Sequence, residues 1–128
     1  MKKAIHIGVI ILIIFGLCLA EQLLLKNFYG EMRFQTEKIE ILSNDWKSNT
    51  TKIVEEIDSL EDLWKQKSMT LWTFISHKEM RELGIEISRL KTAAKEENFD
   101  LFYESLNLVF YYLDNYKTLT EINLQNIF

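Results

Sequence analysis

The sequence predicts an all-α protein: an N-terminal transmembrane helix followed by an antiparallel bundle of three to four helices. Three observations carry this. Residues 4–20, AIHIGVIILIIFGLCLA, form an apolar run with no charged side chain. The 128-residue chain contains no proline, and beyond that run its only glycines are Gly30 and Gly84. Sheets and long loops use both residues as punctuation, so their scarcity points to helices. Downstream, apolar residues recur at helical spacing rather than in alternation.

The apolar run sets the organisation. Seventeen helical residues reach about 26 Å, close to a hydrocarbon core of about 30 Å. Continuing through Leu25 closes the gap and puts Glu21 and Gln22 at headgroup depth. Lipid offers backbone groups no partner, so such a segment must be helical. The run is longer than the ~7–15 apolar residues of a cleaved signal, which favours a retained anchor of signal-anchor type over residues 1–25. Cleavage after Cys18-Leu19-Ala20, which loosely imitates an A-x-A site, would instead release a secreted helical protein.

Other export routes fail on particular residues. Leu17 precedes Cys18 where a lipoprotein box needs a small residue, and no prepilin-type junction precedes the run. Cys18 is the one cysteine, so no internal disulfide can form, and it reads as a membrane-buried apolar residue. Lys2 and Lys3 before the run and Lys26, Arg33 and Lys38 after it do not decide orientation by count. The short basic head favours a cytoplasmic N-terminus, with residues 26–128 an extracytoplasmic helical bundle and C-terminal tail. The expected location is therefore the cell membrane, in single-pass form. Small residues Ala4, Gly8, Gly16 and Ala20 recur at multiples of four, interrupted at Leu12, a spacing that lets membrane helices approach closely.

Past the apolar run, 13 basic residues stand against 19 acidic ones. No basic stripe or glycine-rich phosphate loop is present, so nucleic acid is not an expected partner. A domain of this length buries a useful core without disulfides or metals.

From Leu25 to Leu42 the residues Leu25, Phe28, Met32, Ile39 and Leu42 share one helical face, continuing the anchor helix past Gly30. Asn44-Asp45 supplies a break and a cap. A second helix carries Trp46, Ile53, Ile57, Leu60, Trp64, Leu71 and Ile75 on one stripe, with Val54 and Trp72 off it. Ser76-His77-Lys78-Glu79 fits the capping box S-x-x-E and opens a third helix with Met80, Leu83, Ile87, Leu90 and Ala94 inward. Gly84 costs that helix about 1 kcal/mol relative to alanine, a cost a Trp or Phe approaching closely from the facing helix would offset.

Glu96-Glu97-Asn98 is the next break, with Asn98 as cap. The fourth helix, Phe99 to about Tyr116, is apolar on two sides: Phe99, Phe102, Leu106, Val109, Phe110 and Leu113 on one, Leu101, Leu108 and Tyr112 on the other. Two apolar sides require two neighbours. The second is expected to be either the chain end, folding back with Leu119, Ile122, Leu124, Ile127 and Phe128, or a partner. A faint echo between Asn44–Ile57 and Glu97–Phe110 suggests hairpins of similar plan, too few to make a solenoid.

Chemistry is sparse. His6 and His77 are the only imidazoles, and neither H-E-x-x-H nor a nucleophile elbow occurs. His77, Glu79 and Glu82 are close in sequence but lack the i, i+4 spacing of adjacent ligands. Asn49-Thr50-Thr51 is a formal glycosylation tripeptide of a kind that arises by chance. No enzyme activity, cofactor or metal is expected.

Several of these motifs together resemble a known family. N-D-W opens the second helix, Trp64 follows, I-S-H-K-E precedes a helix containing I-E-I-S-R-L, and the chain closes on L-Q-N-I-F. Nearly the whole chain is similar to the small proteins of spore-forming Gram-positive bacteria grouped as domain of unknown function 4363. Met80-Arg81 after Glu79 departs from the more acidic or aliphatic pair expected there. The resemblance implies a membrane-anchored helical domain and brings no functional residues.

The leading expectation is thus an interaction or structural module of the bacterial envelope, accessory to another membrane protein. It touches lipid through residues 4–25 and a protein partner through Leu101, Leu108, Tyr112 and Trp72. The alternative is an extracytoplasmic small-molecule or metal-binding protein that uses His77 with nearby carboxylates.

Overall fold

A computed structural model describes the backbone of residues 1–71 and 77–127, with side chains described for 1–69 and 78–115. Four helices follow one another: α1 (Lys2–Ser43), α2 (Trp46–Leu71), α3 (His77–Lys95) and α4 (Phe99–Ile127). Each packs on its neighbours in a ring, α1 on α2, α2 on α3, α3 on α4 and α4 on α1, while among the described residues the diagonal pairs stay apart. Asn49 Nδ2 donates to the Leu42 carbonyl and Gln35 Nε2 to that of Glu56. Lys91 reaches Asp58, and the Tyr103 hydroxyl donates to the Ser43 carbonyl. These contacts make the neighbouring pairs α1–α2, α2–α3 and α1–α4 antiparallel. The fold is the expected all-α antiparallel bundle, in its four-helix form.

The core follows from the period of each helix. Phe28, Met32 and Ile39 of α1 are fully buried, as are Ile53, Ile57 and Leu60 of α2, Leu83, Ile87 and Leu90 of α3, and Phe102 and Leu106 of α4. Each such side chain contributes about 1.5–3 kcal/mol of burial. Because α1 supplies as many as α2 or α3, its C-terminal half is a full stave of the bundle and not a linker. At the end remote from the apolar run, Trp46 meets Phe99 and Phe102 edge-on at 5.0 and 4.7 Å.

α1 is continuous through Gly30 and about 63 Å long. Its first core residue is Leu25; residues 2–17 are all exposed. Among the described residues it is the one helix long and apolar enough to cross a membrane. The boundary expected at residue 25 therefore falls inside an unbroken helix, where burial begins.

The turns are short because the chain caps itself locally. At Asn44-Asp45 the amides bond back to the carbonyls of Ile41 and Leu42. α3 ends in a Schellman pattern: the Asn98 amide bonds the Ala93 carbonyl and the Glu97 amide that of Ala94, with Glu97 left-handed at φ 55°. Asn98 Oδ1 then accepts from the Leu101 amide, opening α4 as expected.

Two expectations change. α4 does not stop near Tyr116; it runs to Ile127, so the segment expected to fold back is a continuation of the helix. Val54, expected off the stripe, is half-buried against the core. Leu71 and His77 side chains, residues 72–76 and the capping box at Ser76 lie outside the described residues.

Candidate interaction surfaces

A groove of about 730 Å³ lies between α2 and α3, lined by Trp64, Met69, Met80, Gly84 and Ile85 among others, with Leu101 of α4 at one end. Its floor is fixed by one substitution of volume: the Trp64 ring occupies the space a side chain at Gly84 would need, with Cζ2 2.5 Å from an ideal Cβ. The indole Nε1 donates to the Met80 carbonyl at 3.0 Å. The close approach expected of Gly84 is thus made by Trp64. Met69 (85% exposed) and Ile85 (46% exposed) leave apolar surface open at the mouth.

Charge around the groove is uneven. Glu61 is engaged by Lys65 at 3.3 Å and by Lys91 at 3.7 Å. Lys91 also holds Asp58 at 2.7 Å; that hydrogen bond, then the Glu61 charge, raises its ammonium pKa above the usual lysine value. Lys65 is thus matched by Glu61, and Arg89 by Glu86 at 3.0 Å, so the positive charge left on the rim is that of Arg81, which has no ion pair among the described residues. The α1–α2 pairing runs from Leu42 with Asn49 towards Gln35 with Glu56. It therefore brings the Ser68-Met69 end of the groove beside the start of the buried part of α1.

Leu101 is half-buried, packed on the core, and lines the far end of the groove. Leu108 is half-buried. Tyr112 is half-buried against the core. Its burial, and then the charges of Glu82 and Glu86 on α3, push the phenol pKa up. Trp72 lies outside the described residues. The two apolar sides of α4 thus meet two helices of the same chain, α1 and α3, as a four-membered ring requires. Arg33 adds to the α1–α4 seam, paired with Asp114 and stacked 5.5 Å above the Phe110 ring.

Sequence reasoning missed the buried polar residues. Thr36 is fully buried, its hydroxyl donating to the Met32 carbonyl at 2.6 Å. Glu86 is 5% exposed; one oxygen accepts from Arg89 at 3.0 Å, the other has no partner among the described residues. Nothing in an apolar period marks such positions. Among the described residues no three His, Cys, Asp or Glu side chains come together as a metal site would need.

No curated protein and no solved structure matches the chain. One family does, over residues 21–127, a span that takes in the whole bundle and begins where the apolar run ends. Of the motifs that suggested it, Trp64 lies at the α2–α3 contact and I-E-I-S-R-L along α3. The chain belongs to the family described as Domain of unknown function (DUF4363).

Proposed function

We propose that this chain is a single-pass membrane module whose helical bundle docks a second membrane protein through the α2–α3 groove. The apolar half of α1 is the tether, with Lys2 and Lys3 on the cytoplasmic side and the bundle outside. The observation that carries the reading is the groove: it opens at the anchor end of the bundle, has an apolar mouth at Met69 and Ile85, and carries the Arg81 guanidinium on its rim. A helix rising from the bilayer with an apolar edge flanked by carboxylates complements it in shape and charge. No group aligned for catalysis is needed, because contact alone fulfils an accessory role.

Crosslinking in intact cells tests this. A photo-reactive residue at Ser88, on the groove wall, is expected to capture one membrane protein. Ile85→Glu or Arg81→Glu, both at exposed positions, should abolish that capture while the helical content is kept. The same capture by both variants would overturn the reading.

A further inference from the structure

The outward face of α1 is unclaimed by the bundle. Gly16, Ala20, Leu23, Asn27, Gly30, Phe34 and Ile41 fall within about 80° of one another at 100° per residue, opposite Leu25, Phe28, Met32 and Ile39. Leu23, Phe34 and Ile41 are 61%, 66% and 67% exposed. Gly16 and Gly30 have nothing among the described residues within 4 Å of where a Cβ would stand, so no described contact accounts for either glycine. The intervals alternate four and three from Gly16 to Phe34, the spacing of a coiled-coil seam.

We propose that this face binds a second copy of the chain, giving a parallel dimer along α1 from the membrane into the bundle. Several features favour a second copy over a different protein. A shared bilayer holds two copies in the same sense, so identical seams meet in register. In that register Ala20, Asn27, Phe34 and Ile41 take a positions, and Asn27 at one of them is the residue that fixes parallel pairing by bonding its own counterpart. Lys26 falls at g and Glu31 at the following e, opposite charges across the dimer; neither has an ion pair among the described residues. The like-charged pair that would follow, Arg33 with Lys38, is already engaged within each copy, by Glu37 and Asp114 and by Glu56. Gly30, one layer before Phe34, leaves room for the two rings. Glu37, the charged position in the seam, is turned to Arg33 of its own helix at 3.2 Å.

The inference rests on the tethered reading only for the parallel sense of the chains. Its test uses full-length protein in phospholipid vesicles, with Cys18→Ser removing the native thiol. Under mild oxidation Asn27→Cys should form a covalent dimer, whereas Glu55→Cys, on the exposed side of α2, should not. Phe34→Glu should abolish the Asn27→Cys dimer without loss of helix. Equal dimer at both cysteine positions, none at Asn27→Cys, or capture in cells of another protein in place of a second copy would each overturn it. A chain that fails to enter vesicles contradicts the tether; a chain that enters as a monomer contradicts the dimer alone.

Discussion

The Trp64 indole stands in the place of a side chain at residue 84. Its Cζ2, Cη2 and Cε2 lie 2.5, 2.7 and 3.0 Å from an ideal Cβ on Gly84, and its Nε1 is tied to the Met80 carbonyl one turn earlier. A methyl group there cannot be met by a small shift, because the ring is held by its own hydrogen bond. Gly84→Ala should therefore destabilise the bundle by about 1–3 kcal/mol through overpacking, although alanine on its own favours a helix by about 1 kcal/mol. Urea unfolding of the purified chain gives the sign. A more stable variant would show that the ring moves aside freely.

Trp46 and Trp64, both half-buried against the core, should behave differently. Trp64 Nε1 has an acceptor, whereas Trp46 Nε1 is buried without one among the described residues. Trp64→Phe forfeits a hydrogen bond worth about 0.5–1.5 kcal/mol and strands no donor. Trp46→Phe removes an unpaired donor and should cost less than Trp64→Phe. Comparison of the two unfolding midpoints checks the order.

Glu97 holds the left-handed position that closes the Schellman pattern of α3. A non-glycine residue there costs about 1–2 kcal/mol, so Glu97→Gly should raise stability by about 1 kcal/mol. The same change lengthens nothing and touches no core residue. A lower melting temperature would contradict the assigned geometry.

Alkaline pH should weaken the fold. Lys91 is raised from 10.5 by Asp58 and Glu61, and Tyr112 from 10.0 by burial and by Glu82 and Glu86. Both groups hold their protons to higher pH in the folded state than in the unfolded chain. Their contribution is therefore complete below about pH 10 and is lost as pH climbs through the raised values. Thermal melts across that range should show a fall that is shallower in Tyr112→Phe and in Lys91→Met. An equal fall in both variants would place the effect elsewhere.

Tyr112 also separates internal packing from partner contact. It is half-buried on the core with Glu82 and Glu86 close by, so Tyr112→Asp would add a third carboxylate to that seam. A loss of about 1–3 kcal/mol is expected, in the ordinary range for burying an unpaired charge. Unchanged stability together with a lost association would return α4 to the role of a docking face.

Most of the core could be read from the sequence because three helices keep a clean apolar period. Ile53, Ile57 and Leu60, and Met80, Leu83, Ile87, Leu90 and Ala94, are all buried as their spacing implies. Gly84 announced a close approach because nothing else justifies glycine in mid-helix. Thr36 and Glu86 were illegible: their polar groups find bonds within their own helices, and periodicity does not encode that. The second apolar side of α4 suggested a partner or a returning tail, because a sequence shows that a helix has two apolar sides but not which helices flank it. The ring closes α4 between α1 and α3. The end of α4 was also set too early, since no glycine or proline after Tyr116 interrupts the helix. The groove needed the fold, because its walls come from two different helices, α2 and α3, brought together at the Trp64–Gly84 contact.

The central claim is that the exposed apolar half of α1 lies in a bilayer and the bundle begins at Leu25. Separation of cell membranes from the aqueous fraction after a high-salt wash, with the full-length chain followed by its mass, tests it most directly. The chain should remain wholly with the membranes and come off only in detergent. Full-length chain recovered in the salt wash would contradict the claim.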